Sequence, residues 1–175
     1  MEIKGITVTK EQVMDMAEDG LCSGLNCGEC VYDAFIRAGL LNVPPETRAA
    51  SIAFGGGIGL TGNTCGALSS ALLVNSMLYG RANPWEAASV DERREQMQML
   101  CRRYNNMVHR FEAENGCLTC QELCSAVGGW DSPDRKENCV KIVRRAAAMA
   151  YDFLMLSPEE AAQLPFGKRM GGDNE

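Results

Sequence analysis

SIAFGGGIGLTGNTCGALSSALL, residues 51–73, joins three pieces with different physical demands. An apolar segment ends at Phe54. A loop from Gly55 to Asn63 follows and carries five glycines. Glycine reaches backbone angles closed to other residues and lets a chain come close to a neighbour. The spacing then predicts a helix from Asn63 or Thr64 to Tyr79, with Cys65 in its first turn. Unpaired N–H groups and a partial positive charge collect at such a start. They favour the thiolate, which marks Cys65 as a reactive group or a metal ligand.

Working outward, strand signals are scarce; only Ile6 to Thr9 alternates. Helical spacing recurs instead. Thr9 and Gln12 form a capping box ahead of Val13, Met14 and Ala17, and Gly20 is expected to stop that helix. Asn26 caps a helix reaching about Ala38, with Cys27, Cys30, Val31 and Ala34 on one stripe. Pro44-Pro45 starts a segment reaching Phe54. The central helix has an expected inward stripe of Cys65, Leu68, Leu72, Ser76 and Tyr79. A long helix is expected from Pro84 or Val90 to Glu114, with Met97, Leu100, Tyr104, Val108 and Phe111 inward. His109, the single histidine, reads as a solvated helix residue. Thr119 with Glu122 opens a short helix that places Cys120 in a first turn. Ser132-Pro133 starts a last long helix whose stripe is Cys139, Ile142, Val143, Ala146, Ala150 and Phe153. The fold class expected is all-α, a single-domain multi-helix bundle with a glycine-rich loop at the cysteine site. Residues 1–156 form the helical cysteine-rich domain; 157–175 form a short helix and a loose tail from Gly167.

Composition narrows the function. A chain of 175 residues with 46% apolar content builds a real core. No apolar run is long enough for a membrane span. The start of the chain lacks a basic-then-apolar export pattern. The net charge of −6 argues against a nucleic-acid partner. Nine cysteines are the outlier. An odd count without an export pattern fits a secreted disulfide scaffold poorly, so a reducing, cytoplasmic setting is expected.

Four helices each place a cysteine on the inward stripe: Cys27, Cys65, Cys120 and Cys139. Three chemistries suit such a set. An iron–sulfur cluster of unspecified type takes four thiolates, with Gly56, Gly57, Gly59 and Gly62 supplying N–H groups beside it. A thiol–disulfide oxidoreductase would use Cys65 and Cys27 as catalytic thiols, Cys65 the nucleophile. A structural zinc accepts the same four sulfurs, and a metal-free interaction module needs none. Cys22-x4-Cys27-x2-Cys30 has the spacing of plant-type ferredoxins, but Cys30 is already helical. Cys117-x2-Cys120 is a CxxC. Gly57-Ile-Gly-Leu-Thr-Gly62 matches the letters of a dinucleotide fingerprint but lacks its βαβ setting.

Asn26-Cys27, then Phe54-Gly-Gly-Gly-Ile-Gly, then Cys65-Gly-Ala, then Cys120-x-Glu-Leu, then Cys139 resembles the C-GCAxxG-C-C family of redox-active proteins. The resemblance runs from about Asn26 to Ala148. It implies an all-helical domain with four characteristic cysteines, which fall on Cys27, Cys65, Cys120 and Cys139, and a redox role in anaerobes. A related domain of split-Soret cytochromes has an iron–sulfur centre beside its haem. The family's second motif glycine is Ser70 here, Cys22, Cys30, Cys117 and Cys124 are extra, and no Cys-x-x-Cys-His for covalent haem occurs. The expectation is therefore an iron–sulfur protein that carries electrons or serves a partner reductase, with a redox partner protein and alone or as a homodimer.

Overall fold

The computed structural model describes residues 7–167. Ile6, at the start of the alternating run, and the tail after Gly167 lie outside the described residues. Seven α-helices form among those described: α1 (Lys10–Cys22), α2 (Cys27–Arg37), α3 (Gly66–Tyr79), α4 (Val90–Asn115), α5 (Cys120–Ser125), α6 (Arg135–Leu154) and α7 (Pro158–Ala162). Short 3-10 turns at Pro45–Ala50, Ile52–Phe54 and Pro84–Glu86 fill the connections. The all-α class is confirmed, with no named strand among the described residues.

Local chemistry sets several helix starts. Thr9 accepts from the N–H of Gln12 while the Gln12 side chain answers to the Thr9 N–H at 2.8 Å. Asn26 with Glu29 and Ser157 with Glu160 make the same reciprocal box. Each such cap contributes about 1 kcal/mol.

Helix α6 is the hub and packs against α1, α2, α3 and α4. Its buried row of Ile142, Val143, Ala146, Met149, Ala150 and Phe153 contains the expected apolar stripe. Arg144 fastens α6 to α1 through Glu11, Asp15 at 2.7 Å and Glu18 at 2.5 Å. Helix α7 docks on α4, where Arg102 donates to the Ala162 carbonyl.

Four details differ from expectation. Helix α1 passes through Gly20 to Cys22, because Gly20 is buried against Leu25 and Cys30 and serves packing, not termination. The segment after Pro44-Pro45 forms two 3-10 turns instead of one helix. Helix α3 is enclosed by α2, α4 and α6, so its buried residues are Gly66, Ala67, Leu68, Ser70, Ala71, Val74 and Asn75, while Ser76 is exposed. On α4 the buried row is Arg103, Met107 and Phe111, and Met97 is 49% exposed.

Arg103 is 2% exposed, a charge inside the core. It donates to the carbonyls of Phe153, Leu156 at 2.8 Å and Ser157 at 3.2 Å, and lies over the Tyr79 ring at 3.9 Å. These carbonyls surround the C-terminus of α6, where a helix presents unpaired acceptors and partial negative charge. Asn75 and Tyr79 take further carbonyls of α6, those of Ala150 and Leu154. Burial of the guanidinium is thereby offset by hydrogen bonds.

Candidate functional site: a cysteine cavity

The segments leading into α3 and α5 run antiparallel through one bridge, Thr64 with Thr119. The Cys65 N–H donates to the Leu118 carbonyl at 2.9 Å, and the Cys120 N–H to the Asn63 carbonyl at 2.7 Å. Each cysteine is thus anchored by the other's strand of chain. Gln121 adds a bond to the Gly62 carbonyl at 2.9 Å. Cys27 arrives from the start of α2, held by the Asn26 cap; the Asn26 amide also donates to the Ile52 carbonyl at 3.1 Å. Cys139 comes from the second turn of α6. Its neighbour Asn138 donates to the Leu123 carbonyl at 3.0 Å and ties α6 to α5.

These four cysteines line one cavity of about 20 Å³, together with Cys124 and a wall of Leu123, Ile142 and Val143. That volume holds about one water-sized body. All nine cysteines are free thiols. Cys65, Cys120 and Cys124 are buried, while Cys27 and Cys139 are half-buried.

Electrostatics correct one expectation. Cys27 and Cys120 open α2 and α5, but Cys65 is the N-cap of α3, not a first-turn residue. Burial pushes the Cys65 thiol up to about 12, helped by Cys27, while N–H groups of Leu68 and Ala67 pull weakly the other way. Burial also raises Cys120 to about 12 and Cys139 to about 11, in both cases with Cys124 as the next cause. Loss of hydration outweighs the helix start, so without a cation these sulfurs hold their protons at neutral pH.

The glycine loop is a left-handed coil. Gly56, Gly57, Ile58, Gly59 and Leu60 have φ of 61°, 76°, 60°, 65° and 64° in succession. Such angles cost about 1–2 kcal/mol for each non-glycine residue, which falls here on Ile58 and Leu60. The N–H groups of Ile58, Gly59, Leu60 and Gly62 bond to the carbonyls of Phe54, Ala53, Gly55 and Gly56. The donors facing the Cys65 sulfur come from Ala67 and Leu68 instead. Gly57 shapes the site by contact: a Cβ there would lie 2.7 Å from the Cys120 Cβ.

Cys22 is exposed at the end of α1, and Cys30 is buried with its thiol directed to the Leu25 carbonyl at 3.6 Å. Cys22, Cys30, Cys101, Cys117 and His109 do not line the cavity. Two lining residues went unassigned in the sequence. Cys124 stands one helical turn from Cys120, a spacing that puts both on one side of α5. Asn138 had no signal beyond adjacency to Cys139.

The donor set suits a thiophilic metal centre: five sulfurs, no carboxylate, and apolar walls that would strengthen charge interactions. As the side chains stand, no group of three or more His, Cys, Asp or Glu among the described residues is arranged to hold a metal ion. No helix among the described residues is long and apolar enough to cross a membrane.

Comparison with known proteins agrees with the motif. Neither the curated proteins nor the solved structures contain a match. Residues 25–153 match the family model described as "Putative redox-active protein (C_GCAxxG_C_C)", and the chain belongs to that redox-active family.

Proposed function

We propose that the chain is a redox protein that works through an iron–sulfur cluster held by Cys27, Cys65, Cys120 and Cys139, exchanging electrons with a redox partner protein. The observation that carries this reading is that thiols from four separate segments line one small cavity with apolar walls. Such a cluster, when bound, takes up and releases single electrons. The protein's own part is to gather the sulfurs and exclude water. Gly56, Gly57, Gly59 and Gly62 build the coil that covers the start of α5, and Asn138 keeps Cys139 against it.

Burial favours a metal-bound site over a free thiol–disulfide couple. The thiolate is the nucleophile in disulfide exchange, and desolvation keeps Cys65, Cys120 and Cys139 protonated. A cation reverses that balance, because a coordinating thiol gives up its proton outright. Zinc would satisfy the same sulfurs but not a redox role. The test is anaerobic reconstitution of the full chain with ferrous iron and sulfide, followed by iron and sulfide analysis and visible absorption. A brown protein with acid-labile sulfide is expected. A colourless, iron-free product overturns the proposal.

A further inference from the structure

The family's four cysteines do not exhaust the cavity. Of the five others, Cys124 alone lines it. We propose that Cys124 is a fifth sulfur ligand of the centre. The inference rests on the metal-centre reading and extends its ligand set.

Position comes first. Cys120 and Cys124 are one turn apart on α5, so their side chains leave the helix on the same side. Cys124 is 4% exposed. The end of α5 is fixed at this residue, whose carbonyl accepts from Val127 at 3.0 Å and Gly129 at 2.9 Å. Its thiol therefore has a defined place in the wall.

Within the cavity Cys124 shares the lining with Cys27, Cys65, Cys120 and Cys139, and the rest of the wall is Leu123, Asn138, Ile142 and Val143. Cys124 thus stands where α5 and α6 both bring a cysteine to the same space.

Cys124 also lines a second space, an open cleft of about 350 Å³ formed with Leu60, Thr61, Gly62, Gln121, Ser125 and Trp130. It is the one cysteine common to the two spaces. Each metal–sulfur bond formed releases one proton from the thiol to solvent, with no change in the oxidation state of sulfur.

The ordinary alternative is that Cys124 packs as a small apolar side chain. Cys124→Val preserves that role and removes the sulfur. The probe is cobalt(II) chloride, added anaerobically to the reduced full chain and read by thiolate-to-cobalt charge-transfer absorbance. Cys124→Val should bind cobalt roughly tenfold more weakly or worse, with less absorbance per cobalt and unchanged helical circular dichroism. In the unaltered chain, bound cobalt should slow alkylation of Cys124 by iodoacetamide together with that of Cys27, Cys65, Cys120 and Cys139. If Cys124→Val loses its helices, Cys124→Ser and the alkylation pattern decide. Unchanged cobalt binding in the folded variant, or alkylation of Cys124 at one rate with and without cobalt, overturns the fifth ligand and leaves a four-thiol centre standing. Failure of the unaltered chain to bind cobalt overturns both.

Discussion

Gly66 stands against the Cys27 sulfur: a Cβ on Gly66 would lie 2.8 Å from that Sγ and would also strike the Phe54 carbonyl oxygen. Helices α2 and α3 meet at the cavity only because the residue after Cys65 has no side chain. Gly66→Ala should therefore push Cys27 away from Cys65. Overpacking of this kind costs about 1–3 kcal/mol. Lower urea stability with weakened metal uptake is expected. A variant with normal stability and uptake would show that the contact is soft.

Two glycines of the coil separate contact from conformation. A Cβ on Gly57 meets the Cys120 Cβ at 2.7 Å and the Asn63 N at 2.6 Å, whereas one on Gly59 meets nothing within 4 Å. Both have positive φ. Gly59→Ala should cost only backbone strain, about 1–2 kcal/mol. Gly57→Ala should add displacement of α5 and lower metal uptake. Equal uptake by the two variants, measured with iron and sulfide under anaerobic conditions, would reduce the coil to a connector.

These two cases mark what a sequence can reveal. The caps at Thr9, Asn26 and Thr119 are legible because donor and acceptor sit three residues apart. Convergence of Cys27, Cys65, Cys120 and Cys139 on one cavity is legible from stripe spacing together with the motif. The left-handed coil is not. Five glycines permit positive φ but do not require it, and nothing in the letters places Ile58 and Leu60 there. The thiol electrostatics were hidden too, since helix starts are local whereas desolvation comes from the packing of distant segments. The central stripe of α3 blurred because three helices enclose it.

Arg103 was invisible for a related reason: nothing in its own stretch of sequence marks it as buried, yet it closes the end of α6. Arg103→Met should keep the packing volume but strip hydrogen bonds from the carbonyls of Phe153, Leu156 and Ser157. The Phe153 and Ser157 carbonyls keep the N–H groups of Leu156 and Ala161, so the Leu156 carbonyl is the one left without its donor. Leaving one such acceptor unpaired costs about 1–3 kcal/mol, and a loss of about that size in urea unfolding is expected, with metal uptake per folded molecule unchanged. A neutral effect on stability would mean that water replaces the guanidinium at no cost.

Alkaline pH distinguishes the metal-free from the metal-bound chain. Without metal, burial holds Cys65 and Cys120 near a pKa of about 12 and Cys139 near about 11, above the ordinary value of 9.0. The folded state therefore binds these protons more tightly than the unfolded state. The resulting stability is fully present below about pH 9 and is lost as pH rises through about 11 to 12. Reduced, metal-free protein should have a lower urea midpoint at about pH 10.5 than at about pH 8. Metal-bound thiols have already lost their protons, so the loaded protein should lack that alkaline decline. Its weakness lies on the acid side, where protons compete with metal for sulfur. Parallel urea titrations of both forms across this range check the sign. An apo protein with a flat alkaline profile would mean that the sulfurs are hydrated, and the dry cavity on which the metal-centre reading depends would fall with it.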